Sequence, residues 1–168
     1  MIQLRDKSDD LDSMTALAKE LLPLTRAANI PLLINDHVDV ALKSGADGVH
    51  LGQGDMPPET ARKFLGENAI IGLTAFEADH FAALDPALVD YAGTGPFYPT
   101  ETRKGKPVLG AKEFAALVKI SSVPVVGIGG ITPENFKPVR EAGAAGVAMM
   151  RSISAAADPE RAARGFYS

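Results

Sequence analysis

Short apolar runs recur along the chain, and stretches with helical periodicity lie between them. The strand-like runs cover residues 31–34, 48–51, 69–74, 89–95, 123–130 and 146–150, and alternation over 2–7 adds a strand at the start. Helical stripes cover about 10–28, 38–44, 57–66, 77–84 and 111–120, one opens at 132, and a last one spans roughly 158–166. Seven strands that alternate with helices predict an α/β fold with a parallel sheet and crossover helices.

Capping and breaking residues refine these boundaries. Ser8 or Asp10 is expected to cap the first helix, and Pro23 is expected to kink or split it. Gly45 suits the C-terminal cap of the second helix. Thr132-Pro133 predicts a helix that opens at once, with threonine as the cap and proline at the first position.

The number of strands bears on the architecture. A closed (β/α)8 barrel needs eight strands, whereas a doubly wound sheet can have seven. A weak internal repeat, GADGV at 45–49 and GAAGV at 143–147, supports regular βα units. The length of 168 residues suits one domain, 1–168, and no stretch resembles a linker.

Composition excludes several classes of function. Hydrophobic residues make up 46% and charged residues 23%, as in ordinary soluble domains. The net charge of −4 argues against general binding of nucleic acid. No apolar run approaches the roughly 18 residues of a membrane helix. The absence of cysteine and of a signal peptide fits a cytoplasmic protein, and the oligomeric state stays open.

Polar side chains follow two neighbouring strands where each strand ends. Asn35 and Asp36 come after one apolar run, and Asp55 comes in the glycine-rich loop after the next. Neighbouring parallel strands lie about 4.8 Å apart, so the two carboxylates could share one cation. Each aspartate alone is better explained as a turn or cap residue, but the pair on neighbouring strand ends predicts a Mg²⁺ site.

Other strand ends add groups that suit a phosphate-bearing substrate. They are Arg5, Lys7, Thr74, Thr100, Thr102, Arg103, Gly129, Gly130 and Arg151. The glycine pair could leave backbone amides free for a phosphate, or could simply form a tight turn. His50 lies within a strand and is expected to be a packed or supporting residue. The long irregular stretch 96–110 is expected to be functional or mobile.

With these residues in view, the chain resembles the thiamine-phosphate synthase family of (β/α)8 enzymes over nearly its whole length. Six motifs carry the resemblance: QLRDK (3–7), LLIND (32–36), GADGVHLGQGD (45–55), IIGLT (70–74), GTGPFYPTETRKG (93–105) and VGIGGITPEN (126–135). The family joins an aminopyrimidine-methyl diphosphate to a thiazole phosphate and releases diphosphate. The expected fold is therefore a TIM barrel, here with seven strands because the first βα unit is missing.

The resemblance also implies roles for single residues. Asp36 and Asp55 would hold Mg²⁺, while Gln3, Arg5, Lys7 and Asn35 would bind the diphosphate and the pyrimidine. Thr100, Thr102 and Gly130, with Gly129 and Arg151 beside them, would bind the thiazole phosphate. Lys7, Thr74 and Arg103 are the expected catalytic groups. The implied partners are small-molecule phosphates.

Three positions depart from the family pattern. Thr74 and Arg151 stand where the family usually has serine, and Arg103 stands where it usually has lysine. Two other functions therefore stay open: a thiazole tautomerase-like relative, and a non-catalytic protein that binds thiazole phosphate or thiamine phosphate. The retained diphosphate and magnesium residues favour the synthase.

Overall fold

The computed structural model describes residues 1–6, 10–100 and 107–167. Its strands are β1 (Ile2–Leu4), β2 (Leu32–Asn35), β3 (Gly48–Leu51), β4 (Ile70–Thr74), β5 (Tyr91–Thr94), β6 (Val125–Ile128) and β7 (Gly146–Ala148). Its helices are α1 (Leu11–Ala27), α2 (Val38–Ser44), α3 (Pro58–Leu65), α4 (Ala78–Ala82), α5 (Gly110–Ile120), α6 (Lys137–Glu141), α7 (Arg151–Ser154) and α8 (Pro159–Arg164), followed by a 3-10 turn at Gly165–Tyr167. The predicted alternation of seven strands with helices is confirmed.

The chain forms two compact units, and the first comprises Met1–Thr74 with Asp85–Asp90. In this unit β1 pairs with β2, β2 with β3, and β3 with β4, always in parallel. The register places Gln3 opposite Leu33, Asn35 opposite His50, and His50 opposite Gly72. The carboxyl ends of these strands therefore lie at one edge of the sheet.

The two faces of this sheet have different roles because strand side chains alternate. Leu32, Ile34, Val49 and Ile71 are fully buried in one core cluster. The helical residues in this cluster are Met14, Ala18, Leu22, Val38, Val40, Ala41 and Ala61. The opposite face consequently carries the intervening positions, which include Gln3, Asn35, His50 and Thr74.

The second unit comprises Ala75–Leu84 and the described residues from Tyr91 onward. Here β5 pairs with β6, and β6 with β7, again in parallel. Phe97 and Phe114 are buried and meet edge to face, with ring centroids 5.2 Å apart. A Cβ on Gly127 would lie 2.5 Å from Val139, so α6 packs directly on β6 at this glycine.

The predicted helix start at Thr132 was wrong, and of the two outcomes predicted at Pro23, a kink or a split, the split does not occur. Helix α1 continues through Pro23 without a split, because buried Met14, Ala18 and Leu22 before the proline and Thr25 after it keep the helix against the core. The helix predicted to open at Thr132-Pro133 begins only at Lys137. The residues between them form a turn in which the Thr132 amide donates to the Asn135 side chain at 2.7 Å.

Other local predictions hold. Asp10 caps α1 and accepts a hydrogen bond from the Ser13 amide at 3.0 Å, whereas Ser8 lies outside the described residues. Gly45 ends α2 in the left-handed conformation, at φ 76°. Among the described residues, no helix combines the length and apolarity that a membrane crossing requires.

Candidate active site

The structure brings Asp36 and Asp55 together at the carboxyl edge of the first unit's sheet. Asp36 directly follows β2, and Asp55 closes the loop after β3. Their side chains are close enough to share a hydrogen bond. Asp36 is half-buried and Asp55 is exposed, so the carboxylate pair faces solvent on one side. Such a pair of oxygen donors suits a small divalent cation.

A strained turn holds Asp36 in place. Its φ is 66°, a left-handed value that only a few per cent of non-glycine residues adopt. The His37 amide donates to the Asn35 carbonyl at 2.8 Å, which closes a three-residue γ-turn around Asp36. The Asp36 amide donates to the His50 carbonyl at 2.8 Å. Strand β3 therefore supports this rare conformation.

A tight turn fixes the second carboxylate. The Gly52 amide donates to Asp55 Oδ2 at 2.6 Å, and the Asp55 amide donates back to the Gly52 carbonyl at 3.3 Å. A Cβ at position 52 would lie 2.9 Å from Asp55 Oδ2. Glycine at 52 therefore leaves the space that the carboxylate occupies.

The electrostatics of the pair favour an added cation. Burial raises the pKa of Asp36 above its ordinary value, and the hydrogen bond and charge of Asp55 act in the same direction. The charge of Arg5 and a hydrogen bond with Asn35 lower that pKa. Two carboxylates in contact repel one another once both are ionised, so a cation between them relieves the repulsion.

Further predicted residues lie on the same sheet face. Gln3 and Arg5 are exposed on and just after β1, and Asn35 is half-buried at the end of β2. Arg5 and Asn35 are near enough to act on Asp36. Lys7 lies outside the described residues. The structure thus gathers a cation, an amide side chain and two carboxylates at one edge, whereas Gln3 lies further back on β1, opposite Leu33.

Thr74 ends β4 and is held by two residues of β3 and its loop. Its hydroxyl lies 2.9 Å from Nε2 of His50, and its carbonyl accepts a hydrogen bond from the Gln53 side chain at 2.6 Å. Burial lowers the pKa of the His50 imidazole to about 4, although the charge of Asp55 acts in the opposite direction. His50 is therefore neutral at pH 7.

The donor set fits magnesium. Among residues 1–6, 10–100 and 107–167, no group of three or more histidine or acidic side chains is placed to hold a metal. Magnesium differs from zinc in this respect: it often takes one or two carboxylates, and water and substrate phosphates complete its octahedron. Asp36 and Asp55 are the residues that would hold it.

The second unit contains the predicted glycine pair after β6. Gly129 and Gly130 have φ values of 99° and 67°, which side-chain-bearing residues rarely adopt. A Cβ on Gly129 would lie 2.6 Å from Pro96, and one on Gly130 would lie 2.6 Å from the Pro99 carbonyl. Both positions therefore need glycine for conformation and for space.

Asn135 organises the loop that follows these glycines. Its side chain donates to the Gly130 carbonyl at 3.0 Å and accepts from the Thr132 amide at 2.7 Å. The Tyr98 hydroxyl donates to the Asn135 carbonyl at 2.9 Å. These bonds hold the turn that the sequence had suggested to be a helix start.

Of the four other residues predicted to bind or act in the second unit, two lie within the described part of the chain. Thr100 is half-buried, whereas Thr102 and Arg103 lie outside the described residues. Arg151 is exposed as the first residue of α7. The described ends of the stretch 96–110 are anchored, because the Leu109 amide donates to the Pro96 carbonyl at 3.0 Å and the Phe97 amide donates to Ile128 at 2.9 Å.

The sequence did not single out Gly52, Gln53 or Asn135. Gly52 and Gln53 belong to a glycine-rich loop whose turn could be anticipated, but their partners, Asp55 for Gly52 and the Thr74 carbonyl of β4 for Gln53, could not. Asn135 is a residue type that often bonds to nearby backbone, which is the one signal that would have identified it.

The family model for thiamine monophosphate synthase matches residues 1–153. The chain belongs to the thiamine monophosphate synthase family. The match covers every strand of both units, including the carboxylate pair and the glycine pair.

Curated relatives agree with this assignment. The chain is 43% identical to the thiamine-phosphate synthase of Natronomonas pharaonis, over 98% of this chain and 78% of the relative. It is also 43% identical to that of Laribacter hongkongensis, over 99% of this chain and 79% of the relative. The predicted function, a thiamine-phosphate synthase, is confirmed at the level of this family.

Solved structures agree on the fold. Thiamine phosphate pyrophosphorylase from Pyrococcus furiosus matches with a TM-score of 0.88 and 34% identity, over 99% of this chain and 80% of that chain. A 3-hexulose-6-phosphate synthase matches with a TM-score of 0.69 at 19% identity, which shows similarity of fold alone. The predicted α/β fold of the TIM (β/α)8 type is confirmed.

Proposed function

We propose that this protein joins 4-amino-2-methyl-5-hydroxymethylpyrimidine diphosphate to 4-methyl-5-(2-phosphoethyl)thiazole, with Mg²⁺ bound by Asp36 and Asp55. The observation that carries the proposal is the contact between these two carboxylates at the carboxyl edge of the sheet. Ligands bind at this edge in α/β folds of both barrel and open type.

The residues near the carboxylates suit the diphosphate. Arg5 supplies a guanidinium that pairs well with phosphate oxygens. Asn35 and Gln3 carry amides that can donate to phosphate or bond to the pyrimidine edge. Magnesium, when bound, would supply positive charge against the leaving diphosphate. Lys7, outside the described residues, is proposed to add a second cation.

The chemistry needs charge stabilisation more than proton transfer. The bond from the pyrimidine methylene carbon to the diphosphate oxygen breaks, and the electron pair leaves with the diphosphate. The thiazole nitrogen then forms a bond to that carbon with its lone pair, so no proton has to move. Cationic side chains that stabilise the departing charge would therefore provide most of the acceleration.

The second substrate carries a phosphate, and the second unit offers a site for it. Asn135 donates a hydrogen bond to the Gly130 carbonyl and so stabilises the Gly129–Gly130 turn, whose backbone amides are the proposed phosphate donors. Thr100, Thr102 and Arg151 are the proposed side-chain contacts, and Arg103 is proposed to act on the reacting groups.

The test is a diphosphate-release assay with both substrates, with and without Mg²⁺. We expect release to depend on Mg²⁺ and to fall at least about a hundredfold in Asp36→Asn and Asp55→Asn. Asp39→Asn is the matched control, because Asp39 lies in α2 and pairs with Lys43 at 3.6 Å.

Each alternative gives a different result. Binding of thiazole phosphate without diphosphate release would contradict the proposal and favour a binding protein. Isomerisation of the thiazole without release would favour a tautomerase. Equal loss in Asp39→Asn would show that the effect is not specific to the carboxylate pair.

A further inference from the structure

His50 occupies a central position in the first unit. It lies in β3, directly between Asn35 of β2 and Gly72 of β4 in the register of the sheet. Its side chain is on the face that also carries Thr74, two residues beyond Gly72. Because Gly72 has no side chain, the imidazole can extend along β4 and reach the Thr74 hydroxyl, 2.9 Å from Nε2.

We propose that His50 is a positioning residue that fixes the direction of the Thr74 hydroxyl toward the pyrimidine diphosphate. This inference rests on the proposed function, because it assigns Thr74 to the substrate side of the same site.

The hydrogen-bonding capacity of the two groups supports this role. A neutral imidazole has one N–H and one lone pair, and a hydroxyl has one proton and two acceptor sites. Whichever tautomer His50 adopts, its bond to Thr74 uses one side of the hydroxyl. The proton or lone pair of the hydroxyl that His50 does not use then points in a fixed direction.

The backbone of Thr74 is held as well. Gln53 donates to its carbonyl at 2.6 Å, so residues 50 and 53 fix both polar atoms at the end of β4. The His50 carbonyl accepts from the Asp36 amide at 2.8 Å. One stretch of chain therefore sets the positions of a proposed metal ligand and of a hydroxyl at neighbouring strand ends.

A double-mutant cycle tests the inference. His50→Leu removes the bond, Thr74→Val removes the hydroxyl, and His50→Gln restores an amide nitrogen near the position of Nε2. We expect His50→Leu to lower kcat by about tenfold to a hundredfold, with a smaller change in KM. We expect His50→Gln to recover most of the loss, and His50→Leu to add no further loss in the Thr74→Val background. Losses that multiply in the double variant would overturn the proposal.

The ring nitrogens provide a readout that does not need turnover. The chain has three histidines, so ¹⁵N spectra of the imidazoles can be assigned by substitution. We expect Thr74→Val to shift the His50 ring nitrogens and to leave those of His37 and His80 unchanged. Unchanged His50 nitrogens would overturn the inference even if the enzyme is active. An inactive wild type that shows the shift would instead overturn the proposed function.

Discussion

Asp36 combines an unfavourable backbone conformation with an unfavourable electrostatic environment. A left-handed φ of 66° and contact with a second carboxylate both oppose stability. Two backbone hydrogen bonds of 2.8 Å, around the γ-turn and to His50, hold it nevertheless. An arrangement that destabilises the free protein but suits a bound cation is typical of functional sites.

Gly52 provides a sharp test at the residue scale, because the Cβ of Gly52→Ala would lie 2.9 Å from Asp55 Oδ2. The carboxylate has to move, whereas the backbone can stay. We expect Mg²⁺ affinity, measured by calorimetry, to fall at least about tenfold while the free energy of unfolding changes by less than about 1 kcal/mol.

Gly54→Ala is the control for this prediction. Its Cβ would meet nothing within 4 Å. It should leave Mg²⁺ affinity unchanged. Equal affinities in the two variants would show that Asp55 does not need its present position.

At the scale of elements, the order of strands and helices follows from periodicity, and Asp36 and Asp55 lie after the two strands that the sequence predicts. The boundary predictions fail where one sequence pattern is compatible with two different structures. Thr132-Pro133 suits a helix start, but it equally suits the turn that Asn135 closes. Pro23 has no amide hydrogen, but buried residues on both sides keep α1 intact.

The contacts within the site depend on tertiary geometry that local pattern does not contain. His50 and Thr74 are 24 positions apart, and they meet because β3 and β4 pair in parallel with His50 opposite Gly72. The γ-turn at Asp36 has no distinctive composition, since aspartate is common in every kind of turn.

Arg62 connects several elements of the first unit. Its guanidinium donates to the carbonyls of Gly66 (3.2 Å), Glu67 (3.2 Å), Ala69 (2.5 Å) and Leu88 (3.0 Å), and to Asp90 Oδ2 (2.9 Å). Asp90 Oδ2 also accepts from the Ile71 amide at 2.7 Å. The arginine thereby holds the segment 85–90 against β4 and the end of α3.

We expect Arg62→Lys to lower the free energy of unfolding by about 3 kcal/mol, because lysine keeps the charge but cannot reach several carbonyls at once. Urea denaturation measures this change. Lys63→Ala is the control: Lys63 pairs with exposed Glu59 in the preceding turn of α3, and its loss should cost less than about 0.5 kcal/mol. Similar losses in the two variants would contradict the role given to the guanidinium.

At the scale of the whole molecule, each compact unit contains a different part of the predicted chemistry. The carboxylates and the residues proposed for the diphosphate belong to the first unit, and the glycine turn proposed for the thiazole phosphate belongs to the second. The sequence predicts these groups at strand ends from their residue types alone. The hydrogen bonds that support them, from His50, Gln53 and Asn135, appear only in the folded chain.

Stability against pH gives a prediction for the molecule as a whole. The pKa of His50 falls from 6.5 to about 4 on folding, so its neutral form stabilises the fold fully above pH 6.5 and progressively less as the pH falls toward 4. The contribution of Asp36 to stability changes with pH in the opposite direction: its pKa is raised above 3.8, so its contribution is complete below that value and is lost as the pH rises.

Comparison of the wild type with His50→Gln isolates the histidine, because Asp36 titrates in both. Urea denaturation between pH 7.5 and 4 should show the wild type losing about 3 kcal/mol more than the variant. Parallel curves for the two proteins would mean that His50 is accessible to protons in the folded state.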